Sequence, residues 1–146
     1  MLIKDGKKES SIPNGLRSVI PSNTKINGIS YLDNIIHVDF STDILNIDSA
    51  EAISMIESII YTLTEFDSVS KVSISIEGNP LYKLKDIFIP TLLTRDFGIN
   101  KVYEVTSLDN IHKVNEYYVS KYNDNYYYVP ITKYTNDNSD KIKSIL

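Results

Sequence analysis

Apolar residues recur along this chain with two periods, two and about three and a half, and the switches between them mark its elements. Over 35–41, Ile36, Val38 and Phe40 alternate with Ile35, His37, Asp39 and Ser41, which predicts a strand with the first set turned inward. Residues 48–66 then carry Ala52, Ile56, Ile59, Ile60, Leu63 and Phe66 at helical spacing, with Glu57 and Ser58 off that stripe. Asp48 and Glu51 stand at capping-box spacing where this helix is expected to begin. A helix of about 19 residues is about 28 Å long, enough to cover one face of a small sheet. Val72, Ile74 and Ile76 return to the strand period over 72–78. Strand, helix and strand together form the expected core, each buried aliphatic side chain contributing roughly 1.5–3 kcal/mol.

Turn chemistry sets the remaining boundaries. Pro13-Asn14-Gly15 and Pro21-Ser22-Asn23 predict turns, and a strand follows over 24–31, with Asn27-Gly28 as the place for a bulge. Asp33-Asn34 supplies a tight reversal into the strand at 35–41. Gly78-Asn79-Pro80 ends the third strand; 81–90 reads as an irregular excursion, 95–100 as a closing turn, 102–106 as a short strand and 110–116 as a connector. A second hairpin is expected from 117–121 and 126–134 around Tyr122-Asn123-Asp124-Asn125. Its Tyr127, Val129 and Ile131 are expected to face inward, with Tyr118, Tyr122, Tyr126 and Tyr128 gathered on the other face. Pro130 has no N–H to donate, which points to an edge or a bulge there. Asn138 or Ser139 caps a helix over 140–146 that the chain leaves unfinished.

Composition narrows the class. The 146 residues are about one domain's worth, and 42% apolar with 23% charged residues is the balance of a globular protein. A net charge of -4 and scattered basic residues, Lys7-Lys8 being the one adjacent pair, argue against nucleic acid as a partner. The absence of cysteine excludes disulfides, thiolate nucleophiles and Cys-based metal sites within these residues. No apolar run approaches the roughly 20 residues that span a bilayer. Residues 1–4 lack the apolar stretch of a signal peptide, so a signal or lipid anchor of an exported protein would lie outside this sequence.

Candidate chemistry is sparse. His37 and Asp39 share a strand face and offer two metal ligands, but no third is in view and His112 is remote, so an exposed polar face is the better reading. Asp39 is expected to accept from backbone donors where Ser41 leads toward the helix. The acidic and amide residues at 123–125 and 137–140 lack the Gly and the twelfth-position Glu of an EF-hand loop, and turn and cap chemistry accounts for them. Glu65 and Asp67 are paired carboxylates without a predicted cleft. The serines have no Gly-x-Ser-x-Gly elbow, and there is no Gly-rich phosphate loop. No catalytic residue, metal ligand or cofactor is assigned. The surface feature that remains is the tyrosine set Tyr118, Tyr122, Tyr126 and Tyr128, a candidate partner contact because Tyr combines apolar area with a hydroxyl. The alternative is that these rings pair across strands and stiffen the hairpin.

Several segments in order resemble the GerMN domain of bacterial sporulation and germination proteins. They are Ile20-Pro21-Ser22-Asn23-Thr24 (the family usually has Gly where Asn23 stands), Val38-Asp39-Phe40-Ser41, Thr62-Leu63-Thr64-Glu65-Phe66, residues 72–78 and Arg95-Asp96-Phe97-Gly98-Ile99-Asn100. Tyr126-Tyr127-Tyr128-Val129-Pro130-Ile131-Thr132 is similar to the strand pair that opens such a repeat. The resemblance implies that 1–100 is the later part of one repeat and 101–146 the start of a second. It implies an α+β two-layer sandwich, a small, mainly antiparallel sheet with two helices on one face, like the ring-building motifs of envelope assemblies. The two part-repeats are expected to complete each other as a permuted unit, within a chain or by exchange in a dimer. The implied function is non-catalytic assembly or scaffolding in the spore intermembrane space, membrane-anchored from outside these residues, with envelope or spore-channel proteins as partners. A cell-wall module binding peptidoglycan is the alternative.

Overall fold

The computed structural model describes residues 2–4 and 17–136. The expected turn at Pro13-Asn14-Gly15, the acidic run at 137–140 and the helix over 140–146 with its cap lie outside them. The chain divides into two compact units, Met1–Phe97 and Gly98–Leu146. It is mixed α and β, mostly sheet, with one α-helix among the described residues.

In the first unit β1 (Ile26–Leu32), β2 (Ile35–Phe40), β3 (Lys71–Ile76) and β4 (Asn79–Pro80) form one sheet in that order. β1 and β2 are antiparallel, joined by Asp33 and Asn34, both at positive φ as a two-residue primed turn requires. The register shifts between Ile26 and Gly28, which places the bulge where Asn27-Gly28 predicts it. β2 and β3 are parallel, so the connection between them must cross over, and α1 (Ala52–Leu63) does so. Parallel pairing puts Ile36, Val38 and Phe40 beside Val72, Ile74 and Ile76 on one face. That face and α1's Ala52, Met55, Ile56, Ile59 and Ile60 are the centre of the buried cluster, and Ala52, Met55, Ile56, Ile60 and Val72 are fully shielded from water. Two short strands, β5 (Lys83–Leu84) and β6 (Ile87–Phe88), make a separate hairpin inside the expected irregular stretch, and its Leu84 is buried.

The helix is shorter than its apolar period suggests, and both ends have identifiable causes. Glu51 occupies the N-cap position with no side-chain cap bond, and α1 starts at Ala52 rather than at Asp48. The Glu51 carboxylate is held instead by Lys4 Nζ at 3.0 Å and by Arg17, so the capping box does not form. Those partners arrive on the segment where Ile3 bridges Ile20. At the other end the Thr64 hydroxyl donates back to the Ile60 carbonyl at 2.7 Å, and Arg95 Nε donates to Thr64 Oγ1 at 2.9 Å. Arg95 also lies over the Tyr61 ring, 4.8 Å from its centroid, placing a cation at the helix C-terminus. Phe66 therefore falls past the helix and is 63% exposed, not part of the buried stripe. Glu57, expected off the stripe, is buried.

The second unit contains β7 (Val102–Glu104), β8 (His112–Tyr122) and β9 (Asn125–Thr135), in the order β7-β9-β8. β8 and β9 are antiparallel over their whole length, while β7 runs parallel to the last three residues of β9. β8 begins at His112, inside the expected connector. Among the described residues the hairpin pairs with β7 in a sheet of its own. Pro130 sits in β9 beyond the reach of β7, on what is locally an edge, and no bulge forms there.

Candidate functional site

Two places gather the residues singled out from the sequence. The first is the polar face of β2 and β3. Parallel register sets His37 beside Ser73 and Asp39 beside Ser75. His37 Nδ1 lies 3.2 Å from Ser73 Oγ and its Nε2 lies 3.0 Å from Ser75 Oγ. The Ser75 hydroxyl donates to Asp39 Oδ1, which also accepts the Gly78 N–H at 2.8 Å, and Asn27 Nδ2 donates to Asp39 Oδ2 at 3.2 Å. The backbone donor expected near Ser41 thus comes from the β3–β4 turn, where Glu77 and Gly78 adopt positive φ.

This constellation contains a serine, a histidine and an aspartate but is wired against nucleophilic catalysis. In a triad the carboxylate orients the imidazole and the imidazole takes the serine proton. Here Asp39 itself accepts the hydrogen bond of the Ser75 hydroxyl, and Ser75 is 1% exposed, out of a substrate's reach. Among the described residues no group of three metal-ligating side chains assembles. The network fastens the ends of β2 and β3 to the turn after them.

Its electrostatics carry a prediction. The Ser75 and Gly78 hydrogen bonds hold the Asp39 carboxyl below its ordinary value of 3.8. Lys4 and then Arg17 lower Glu51 in the same sense. A carboxyl depressed in the fold adds stability above its unfolded pKa, and that stability is lost as pH falls through the unfolded and then the folded value. Urea midpoints at pH 6 and pH 3 are expected to differ less for Asp39→Asn than for the parent chain. An equal drop in both would remove Asp39 from the account of acid sensitivity.

The second place is the tyrosine hairpin. Asn123 and Asp124, with φ of 46° and 61°, form a two-residue turn closed by the pair Tyr122 and Asn125. Paired residues share a face, so an even-numbered position on β8 lies with an odd-numbered one on β9. Tyr118 and Tyr122 therefore share a face with Tyr127, Val129 and Ile131. Tyr126 and Tyr128 lie on the opposite face with Tyr117, Val119, Lys121 and Pro130. The four candidate contacts are split two and two, not gathered. The residues missed by sequence reasoning are Tyr117 and Val119, and the parity of the two-residue turn is the signal that would have found them. Tyr117, Val119, Tyr126 and Tyr128 are each about 60–70% exposed, which leaves one face of the ribbon aromatic and open. Lys121 lies 5.8 Å from the Tyr126 ring centroid on that face.

Comparison with known proteins follows from this geometry. Residues 1–82, more than half of the chain, match the family model Germane, described as sporulation and spore germination. The chain belongs to the Germane family. It is 34% identical over 143 residues to the spore germination protein GerM of Bacillus subtilis (strain 168), which covers 96% of this chain and 39% of GerM. The solved tandem GerMN domains of the sporulation protein GerM from Bacillus subtilis superpose with a TM-score of 0.84 at 30% identity, over 99% of this chain and 53% of that one. The first GerMN domain of the same protein gives 0.61 at 28% identity, over 65% of this chain and 73% of that one. This Germane chain thus spans well under half the length of its curated relative, and its α+β architecture is that of GerMN domains.

Proposed function

We propose that this chain is a non-catalytic assembly domain of sporulation or germination, working outside the cytoplasmic membrane in the space between the two membranes of the developing spore. The observation that carries the reading is its likeness to GerM along nearly its whole length. The way Asp39 is wired to Ser75 supports a structural rather than a chemical use of the polar sheet face. In this reading residues 1–100 are the later part of one GerMN repeat and 101–146 the opening of the next. Both work as ring-building-like modules, recognised through strand edges and helix faces. An anchor outside these residues holds the protein at the membrane, where it stabilises the channel complex that links mother cell and forespore.

The open face carrying Tyr117, Val119, Tyr126 and Tyr128 is the contact surface this role calls for. Tyr126→Ala with Tyr128→Ala is expected to abolish retention on envelope channel complexes while leaving the thermal midpoint nearly unchanged. Tyr118→Ala, on the opposite face, is expected to retain binding. A large drop in the midpoint of the double variant would show instead that the rings serve the hairpin. The same open rings favour one second reading, a cell-wall module stacking on glycan. Binding of the parent chain to purified peptidoglycan, without retention on channel complexes, would decide for it.

A further inference from the structure

Residues 2–4 are fastened to residues 19 and 20 by backbone bonds. The Leu2 carbonyl accepts the N–H groups of Val19 and Ile20, at 2.9 and 2.6 Å, and the Lys4 N–H donates to the Ile20 carbonyl at 2.8 Å. Leu2 and Ile3 are partly buried against the core, in which Val19 and Ile20 are buried. From this segment Lys4, joined by Arg17, takes both oxygens of the Glu51 carboxylate. The Glu51 N–H is occupied as well, donating to the Asp48 carbonyl at 2.9 Å. A capping box needs these same two groups: the Asp48 carboxylate accepts the Glu51 N–H, and the Glu51 carboxylate accepts the Asp48 N–H. Both halves are diverted. Residues 49–51 therefore stay a turn, and α1 opens with the Met55 N–H on the Glu51 carbonyl at 3.0 Å.

We propose that residues 2–4 are a releasable strap, whose detachment from Val19 and Ile20 frees Glu51 to complete the box with Asp48 and carries α1 back to Ser49. Two arrangements of one segment make a switch when they lie close in free energy, and three observations bring these two together. The ion pairs that hold Glu51 are within reach of water, the Lys4 and Arg17 side chains being 39% and 65% exposed, so they add little to the closed form. The Ser18 hydroxyl, next in sequence to Val19, is buried with no hydrogen-bond partner among the described residues, which lowers the cost of opening there. Asp48 is exposed and already closes a turn onto Glu51, so the longer helix needs only an exchange of acceptors. The Glu51 N–H passes from the Asp48 carbonyl to its carboxylate, and the Ala52 N–H takes the carbonyl. Glu51 then stands in the first turn of the helix, where the dipole favours an anion. The capping-box spacing, unused in the closed form, specifies the open one. The two ends are linked: a competitor for the place of residues 2–4 lengthens α1, and a contact that favours the longer helix loosens the strap.

Nuclear magnetic resonance of the full chain tests the strap. In the double variant Lys4→Ala with Arg17→Ala, the Cα shifts of Ser49, Ala50 and Glu51 are expected to move to helical values. The Ile20 amide, which donates to Leu2, is expected to exchange about tenfold faster or more, while Val38 and Ile74 keep their protection. Adding Asp48→Ala is expected to return residues 49–51 to their parent shifts and to leave Ile20 fast, because it removes the cap without touching the strap. Asp48→Asn, whose amide oxygen still caps, is expected to keep the longer helix. In the parent chain Val19 and Ile20 are expected to exchange about tenfold faster or more than Val38 and Ile74, as a segment does that opens while the core stays closed. Ile20 exchange unchanged by the double variant overturns the proposal. Shifts at 49–51 that stay at parent values once Ile20 is fast overturn it too. So does a gain of helix that survives Asp48→Ala, or protection at Ile20 in the parent equal to that of Val38.

Discussion

Replacing Ile56 by alanine is expected to lower the unfolding free energy by about 2–5 kcal/mol, measured by urea denaturation of the full chain. Ile56 is fully buried in the middle of α1, in the cluster that also contains Val38, Phe40, Val72 and Ile74. Removing three carbons there forfeits their transfer from water and leaves a void that helix and sheet on either side cannot close without moving apart. Phe66→Ala is the informative contrast. The sequence period puts both residues on one apolar stripe, yet the helix ends at Leu63 and Phe66 stands in water. Its loss is expected to change stability by no more than about 0.5 kcal/mol. Similar large losses at both positions would mean that α1 runs past Thr64 in solution.

Gly98→Ala is expected to cost about 1–3 kcal/mol and to act on the second unit. Gly98 has φ of +83°, a conformation that a side chain strains. A Cβ there would also lie 2.9 Å from Lys101 Cε and 3.2 Å from Thr132 Oγ1. The flexible lysine can withdraw, but Thr132 cannot: it is completely buried, and its hydroxyl accepts the Ile99 N–H at 3.0 Å while its own N–H donates to the Ile99 carbonyl. This two-way bond sets the start of the segment that covers β9. Amide exchange at Thr132 is the direct readout, expected to accelerate in Gly98→Ala while Val38 and Ile74 keep their protection. Unchanged exchange at Thr132 would show that the turn relaxes without disturbing the bond.

The acid-stability difference at Asp39 and the fate of the tyrosine face test smaller parts of the same picture. Both depend on the register of adjacent strands, not on composition.

Periodicity and turn chemistry alone determined the β1–β2 hairpin, its bulge at Asn27, a helix between β2 and β3, the strand at Lys71–Ile76 and the tight turn at Asn123-Asp124. These are local consequences of where side chains point and which residues tolerate positive φ. Family membership was likewise legible, because it rests on ordered short segments. Tertiary structure decided whatever depends on partners distant in sequence. Glu51 abandons its cap because Lys4 and Arg17 reach it, and Arg95 helps close the helix at Thr64. Asp39 finds Ser75 and Gly78 only once β2 and β3 run parallel. The tyrosines divide between two faces because register fixes parity, and a one-residue difference in pairing moves every side chain across the sheet.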